Sequence, residues 1–325
     1  MSTVALAVMA GLVTGCSSSP STEETASPSS VPAALTEVKI VEAPLLDFAP
    51  VWVGQEEGFF EAEGLTVTSD GGGATTSAEA VALVMSGEYQ FVSSAIFAAA
   101  MAAEQGMDIQ MAAALSEYPE PEDNRQIGTV VAAGSAASPA ELSEGATVAV
   151  NGIDGLTNVV FKAALAEDGI TREFSYQAGP MPTLTELVAT GSAAAAVVAE
   201  PWVTAAASDA AVEVIDYPGR ALPGGAVAIG LATTSGFAAE NGDTVTALRN
   251  ALEASIAWIE DPMNTEPFME LLASKTGLDP ELIRSAQLPQ YNARIEKTAS
   301  RDLLELFARY GALGSAPSID DLLVP

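Results

Sequence analysis

Short apolar runs alternate with helix-forming stretches twice along this chain, and two proline-containing crossings separate the series. No other feature restricts its fold so tightly. The first series reads as strands at 38–41, 65–68, 89–92 and 109–115. Helices at 50–60, 77–86 and 95–105 fall between them. Pro50 suits a first helical turn, and Gly87 and Gly106 follow helix ends. Residues 116–124 carry two prolines and four acids and read as a surface or interdomain segment. The second series has strands at 127–133, 147–150, 174–176, 195–198 and 212–215. Helices at 154–168 and 184–190 end at Gly169 and Gly191, and Pro201 opens another. Residues 217–225 form the second crossing, 227–233 a last strand, and the remainder is helical. Within 243–260, Val245, Leu248, Leu252, Ile256 and Ile259 keep close to helical spacing. Such alternation predicts an α/β fold of mostly parallel sheets flanked by helices. Two units and two crossings predict two lobes around a cleft. Residues 37–122 and 225–325 would form the first lobe, and residues 125–222 the second. Ligands in open α/β sheets bind beyond the carboxyl ends of the strands, and such lobes close by hinge motion.

Composition removes several functions. The 325 residues are 49% hydrophobic, enough for large cores, and no later apolar stretch reaches the length of a membrane span. A net charge of -31 repels phosphate backbones and anionic lipid, so nucleic acid is not an expected partner. The absence of histidine removes the usual general base and histidine metal sites. With one cysteine, thiol catalysis and zinc-thiolate sites are excluded as well. The expectation is a monomeric binding protein without metal or cofactor, not an enzyme.

That cysteine, Cys16, ends an apolar run at 4–13 and precedes a Ser-rich stretch. The run is too short to span a bilayer and suits a signal-peptide core. Leu12-Val13-Thr14-Gly15-Cys16 resembles a bacterial lipobox, which implies removal of the preceding peptide and lipidation of Cys16. A plain secretory signal and a chance apolar start are the alternatives. The expected layout is a signal peptide at 1–16 and a disordered linker at 17–36, rich in Ser, Pro, Thr and Glu. Met1-Ser2-Thr3 lacks the basic segment of such signals, and the first lysine is Lys39. Translation is therefore expected to start upstream of Met1.

Pro50-Val51-Trp52-Val53-Gly54-Gln55-Glu56-Glu57-Gly58-Phe59-Phe60-Glu61-Ala62-Glu63-Gly64-Leu65 is the most specific string. It resembles the opening of bacterial ABC-transporter substrate-binding proteins of the nitrate/sulfonate/taurine and thiamine-pyrimidine-precursor type. As a structure it is a helix-turn-strand corner, and both readings hold together. The resemblance covers most of the chain from about Glu37. Ser86-Gly87-Glu88-Tyr89-Gln90-Phe91 resembles a second family element, with Gln90 in place of the usual Asp. Residues 145–150 resemble the strand that opens the second lobe. Thr190-Gly191-Ser192 through Glu200-Pro201-Trp202 resembles the second lobe's copy of that element, with Ala193 and Ala194 where an acid is usual. The resemblance implies a type II periplasmic-binding fold, capture of a small solute, and delivery to a cognate permease and ATPase. In a bacterium with one membrane, lipid on Cys16 would hold the protein at the outer face. Fungal pyrimidine synthases that resemble the family consume an active-site histidine, which this chain lacks. Menaquinone-biosynthesis enzymes share the fold but are cytoplasmic, where a lipobox has no use. A sensor or adhesion lipoprotein on the same fold is a further alternative.

The expected cleft residues lie after the strands. Asp47 either caps the following helix or contacts ligand, beside Phe48, and Trp52 divides between core and cleft wall. Gly72 and Gly73 permit close backbone approach. Ser93 and Ser94 cap a helix or bind ligand. Asn151, Gly152, Asp154 and Gly155 join a strand to a helix N-terminus and are the best candidates. Glu200 and Trp202 could hold an amine or stack on a ring, or serve as cap and core. Tyr118 is a weaker candidate in the acidic segment. The ionisable candidates are carboxylates, which disfavour an anion. The pattern leans toward a neutral or amine-bearing heterocycle such as a pyrimidine precursor, unless Arg125 or Arg220 reaches the cleft. A sulfonate, taurine or nitrate is the alternative. Replacing Cys16 with Ala should release the protein from membranes in cell fractionation and leave the solute affinity of the body unchanged.

Overall fold

The computed structural model describes residues 35–43, 45–73 and 77–325. The expected signal peptide, Cys16 and nearly all of the linker lie outside the described residues. Two sheets organise the body. The first holds β1 (Thr36–Val41), β2 (Leu65–Asp70), β3 (Phe91–Ala95), β4 (Gln110–Glu117), β10 (Val227–Thr233) and β11 (Gln290–Tyr291). Their spatial order is β11-β4-β10-β3-β1-β2. The second holds β5 (Ile127–Ala132), β6 (Thr147–Val150), β7 (Ser175–Ala178), β8 (Ala195–Ala199) and β9 (Val212–Asp216), in the order β7-β6-β8-β5-β9.

Both sheets are mixed, and the exceptions to parallel pairing have a cause. β5 is the first strand after the chain leaves the first sheet, and it pairs antiparallel with β8 and β9. β10 is the first strand after the return, and it pairs antiparallel with β3 and β4. Each enters its sheet from the edge where the parallel strands end. β11, only two residues long and antiparallel to β4, lies in a stretch expected to be helical. Pro289 just before it removes a backbone donor that a helix would need.

Helices cover the sheets. α1 (Ala49–Glu56), α2 (Phe59–Ala62), α3 (Ser77–Met85) and α4 (Ile96–Glu104) connect the first strands. α5 (Leu156–Glu167), α6 (Leu184–Ala189) and α7 (Trp202–Ala207) serve the second sheet. α8 (Ser235–Glu240), α9 (Gly242–Glu260), α10 (Thr265–Thr276), α11 (Pro280–Ser285) and α12 (Lys297–Arg309) complete the chain. The helix expected over 50–60 breaks at Gly58, whose φ of 76° is left-handed. That turn places Phe60 against α1. A Cβ on Gly54 would stand 2.5 Å from Phe60 Cε2 and 2.8 Å from Ser255 Oγ of α9. The Gly-Phe-Phe corner thus lets α1 pack closely on its neighbours. Caps at later helices follow the sequence: Thr234 accepts from Phe237 N, Asp279 from Glu281 N and Leu282 N, and Glu296 from Ala299 N.

Three apolar clusters result. α1, α9 and α10 close one face of the first sheet, around Phe48, Trp52, Phe60 and Leu252. On its other face, α4 and α12 build a cluster that continues through Val148 and Val197 to Phe161 of α5. α6 and α7 cover the remaining face of the second sheet around Leu184 and Val198. Gly230 lies at the centre of β10, between β3 and β4. A Cβ there would stand 2.4 Å from the Ala113 carbonyl oxygen and 2.6 Å from Met111 Cε. The oxygen belongs to a paired strand and cannot retreat without loss of ladder bonds. Gly230→Ala should lower stability by about 1–3 kcal/mol, read as a lower urea midpoint at unchanged slope.

Candidate functional site

The two crossings define where a solute could sit. β4 ends at Glu117, and β5 begins at Ile127, which pairs with Ala199, the last residue of β8. The return crossing leaves β9 at Asp216 and reaches Val227, which pairs with Glu117. Tyr118 N donates to the Ala226 carbonyl at 2.9 Å, and Gly225 N to the Tyr118 carbonyl at 2.9 Å. The carboxyl ends of β4 and β8 therefore meet the same pair of strapped segments. The described residues that follow β1 to β3 and the loops after β6 to β8 lie along those two edges.

In the first sheet, four segments converge on Asp47. It sits in a single 3-10 turn, Leu46–Phe48, between β1 and α1. Ser116 Oγ of β4 donates to Asp47 Oδ1 at 2.5 Å, and Ile229 N of β10 donates to Ser116 Oγ at 3.3 Å. Tyr291 of β11 is in register with Ser116 and donates its hydroxyl to the Leu46 carbonyl at 3.1 Å. Burial pushes the Asp47 carboxyl above its ordinary range, against the pull of Ser116. Burial and the Asp47 charge raise the phenols of Tyr118 and Tyr291. The expected capping role is not realised. α1 has Phe48 at its N-cap and no side-chain cap, because Asp47 turns to Ser116 instead.

Phe48 and Trp52 are core residues, 0% and 1% exposed, with rings edge-to-face at 5.6 Å. They stand behind the expected wall and do not form its surface. Trp52 Nε1 has no hydrogen-bond partner among the described residues. Nor do Ser93 and Ser94 cap α4, whose N-cap is Ala95 without a side-chain bond. Ser94 Oγ donates to the Ala95 carbonyl at 3.1 Å, and the buried Ser93 Oγ has no partner among the described residues. Gly72 and Gly73 have φ of 57° and 72°. Gly72 N and Tyr89 Oη both donate to Asp70 Oδ1 at 2.6 Å, and the Tyr89 bond is the main reason Asp70 is held low. The amide of Gly72 is thus engaged within its own turn.

In the second sheet, the loop after β6 is internally bonded. Asn151 N donates to Thr157 Oγ1 at 3.2 Å, and that hydroxyl donates back to Asn151 Oδ1 at 2.7 Å. Asp154 N donates to Asn158 Oδ1 at 3.1 Å, and Gly155 N to the Gly152 carbonyl at 3.2 Å. Asp154 has φ of 62°, a left-handed position that Asp tolerates better than most residues. Its carboxylate lies 3.6 Å from Lys162 Nζ, so the charge expected to be free is matched. α5 starts at Leu156, two residues later than expected, with Gly155 at its N-cap and no side-chain cap. Asn158 is fully buried, and its Nδ2 has no partner among the described residues.

Glu200 bonds the first turn of α7 from the position before its N-cap, Pro201. It accepts from Thr204 N at 3.1 Å and Thr204 Oγ1 at 2.9 Å. A third bond comes from Gln287 N at 3.1 Å, across from the other sheet. Burial raises its carboxyl, and these donors pull it back. Trp202 is half-buried against the cluster under the second sheet. Arg125 stands 5.7 Å over the Tyr217 ring. Arg220 bonds Asp216 at 2.5 Å and Asp168 at 2.7 Å. Both arginines border a groove of about 880 Å³ along the crossings, whose lining includes none of Asp47, Ser94, Asn151 or Glu200, so it is not the expected cleft. Ser116, Tyr291 and Gln287 were not foreseen. Only Pro289, a break in an otherwise helical stretch, hinted at the last two. Among the described residues, no group of three His, Cys, Asp or Glu could hold a metal, and no helix is long and apolar enough to cross a membrane.

The raised Asp47 carboxyl has a consequence for stability. A carboxyl whose folded pKa is raised stabilises the fold while protonated, below its unfolded value. That contribution is lost as pH rises through the folded value. Asn at this position keeps an oxygen for Ser116 and carries no charge. Asp47→Asn should raise the thermal midpoint by about 1–3 °C at neutral pH. The gain should vanish near about pH 3, where wild type is protonated too. Differential scanning fluorimetry across pH checks both.

The fold is shared with proteins of known structure. The periplasmic aliphatic sulphonate binding protein SsuA from Escherichia coli superposes with a TM-score of 0.74 at 16% identity, covering 89% of this chain and 97% of that one. The ligand-binding component of an ABC-type import system from Staphylococcus aureus gives 0.71 at 13% identity, covering 89% and 97%. The periplasmic nitrate-binding protein NrtA from Synechocystis PCC 6803 gives 0.65 at 16% identity, covering 88% and 84%. No curated protein matches the chain by sequence. A family model described as NMT1/THI5 like matches residues 46–264, from the Asp47 turn to the end of the α9 region. With that span matched and a periplasmic-binding-protein fold around it, the chain belongs to the NMT1/THI5-like family.

Proposed function

We propose that this chain is the extracytoplasmic solute-binding component of an ABC importer. It captures a small polar solute between two lobes and delivers it to a cognate permease and ATPase. In this reading 37–122 and 225–325 form one lobe, 125–222 the other, and the strapped crossings are the hinge. The protein acts as a monomer, is exported, and is held at the outer face of the bacterial cell membrane by lipid on Cys16. Family membership and fold support capture over catalysis, as does a site without histidine or a cysteine nucleophile.

The solute is inferred to be neutral or amine-bearing, with a pyrimidine precursor or related heterocycle the favoured class. The cation inventory carries this reading. Of the 12 Lys and Arg, seven pair with carboxylates: Lys162, Arg220, Lys275, Arg284, Arg294, Lys297 and Arg301. Arg172 and Arg249 donate to backbone carbonyls, and Lys39 and Arg125 lie over tyrosine rings. Only Arg309, exposed in the last turn of α12, has no such partner among the described residues. Asp47, by contrast, is a desolvated carboxylate held by a hydroxyl and backbone rather than a cation. A donor or cationic group beside it regains the lost hydration, and an anion does not. The sulfonate or nitrate alternative draws on the uncapped first turn of α5 and on the sulphonate-binding and nitrate-binding proteins that share the fold. A thermal-shift panel of aminopyrimidines, taurine, alkanesulfonates and nitrate separates them. Aminopyrimidines should raise the midpoint, and a shift with taurine or alkanesulfonate alone overturns the heterocycle assignment.

A further inference from the structure

We propose that Gln287, together with Glu200 and Gln126, forms a clasp that holds the two sheets at a set angle about their crossings. Gln287 and Leu288 belong to the first sheet's side, between α11 and β11. Gln126 and Glu200 belong to the second, just before β5 and just after β8. Two bonds join the sides directly. Gln287 N donates to Glu200 Oε1 at 3.1 Å, and Gln126 Nε2 donates to the Leu288 carbonyl at 3.1 Å. The Gln287 side chain ties the same turn to the first crossing. Its Nε2 donates to the Asp123 carbonyl at 2.8 Å, and its Oε1 accepts from Arg125 N at 2.8 Å. Glu200 N in turn donates to the Gln126 carbonyl at 2.8 Å, which locks the receiving pair together.

Besides the two crossings, the sheets share an apolar cluster in which α12 meets α5, and apolar contact is non-directional and fixes no angle. The clasp adds directional hydrogen bonds between segments far apart in sequence. Rotation of one sheet against the other must break the Glu200 and Gln126 bonds and expose both groups to water, so the clasp biases the population toward this one angle. Glu200, expected as a ligand contact, is then a positioning residue with both carboxylate oxygens engaged by protein donors. The inference rests on the two-lobe reading of the crossings, but it does not depend on which solute binds.

The test needs no solute. Ser192 and Met263 are exposed, one beside each sheet. Spin labels on Ser192→Cys and Met263→Cys in a full-length Cys16→Ala background report the interlobe distance by double electron–electron resonance. Wild type should give one dominant distance. Glu200→Ala and Gln126→Ala, which remove the Glu200 Oε1 acceptor and the Gln126 Nε2 donor, should each raise a second distance population roughly fivefold, as expected for loss of about one net hydrogen bond. Glu200→Gln retains an acceptor oxygen and should restore the wild-type distribution. Circular dichroism confirms that each variant is folded, and a variant that merely loses stability shifts its melting midpoint without a new distance. A wild-type distribution in either alanine variant overturns the clasp, as does a Glu200→Gln distribution that matches Glu200→Ala. If every variant, including one with three glycines inserted after Glu122, keeps the wild-type distance, it is the two-lobe reading that fails.

Discussion

The strapped pair of crossings is the constraint on which the rest depends. Tyr118 bonds both Gly225 and Ala226, so the outgoing and returning chains run side by side. That pairing fixes where β5 and β10 begin, and hence why they oppose their neighbours. It also turns the carboxyl ends of two independent sheets toward one region. In a single doubly wound sheet the ligand crevice arises at a switch in strand order. Here the proposed cleft lies where two sheets share their exits. Buried Tyr118 lies beside Asp47 as well, so the strap and the most desolvated carboxylate of the first sheet form one structure.

Charge is distributed to match. A chain with 43 acids and 12 bases cannot neutralise itself, and nearly all of its cations are committed to ion pairs, carbonyls or tyrosine rings. Asp154 is compensated by Lys162, and Glu200 is consumed by Thr204 and Gln287. The charge argument that sequence raised on three carboxylates therefore narrows to Asp47. An ionised group kept in a position that raises its pKa costs stability, and such a cost is tolerated where a ligand offsets it. In the proposed reading, a donor-bearing solute would relieve the position that disfavours the free protein at neutral pH.

Local periodicity made the architecture legible, and long-range geometry hid the rest. Strands and helices show as alternation of apolar runs, so nearly every element could be read from the chain. Antiparallel entry of β5 and β10 could not be read, because strand direction depends on where a crossing lands, not on the strand's own residues. β11 is two residues long and has no period to detect. Among site residues, Asp47 stood out as an acid before a helix, but its partner Ser116 is 69 positions away and sits in an ordinary strand. Trp52 reads from sequence as half core and half cleft wall. It is buried because Gly54 and the left-handed Gly58 fold Phe60 against its helix. Gln287 was invisible for a different reason. One of its three bonds uses a backbone amide, which carries no sequence signal at all.

The departures from the family's motif acquire a location. Gln90, where an Asp is usual, precedes β3 at its amino end. There its Oε1 accepts from Lys39 N at 2.8 Å, and its carbonyl accepts from Thr233 Oγ1 at 2.7 Å. Ala193 and Ala194 precede β8 at the corresponding end of the second sheet, where Ala194 N donates to the Thr147 carbonyl at 2.9 Å. These positions hold strands together on the side away from the crossings. Their substitution changes how a strand is started and does not change what the opposite edge presents. The motifs that identify the family are thus largely its scaffold: a helix-turn corner at Gly58 and strand starts at Gln90 and Ala194. In the proposed reading, solute choice would reside in the loops at the other ends, where Asp47 meets Ser116 and Asn151 meets Thr157. Such loops can change while the scaffold motifs stay, which is how one fold can serve chemically different solutes.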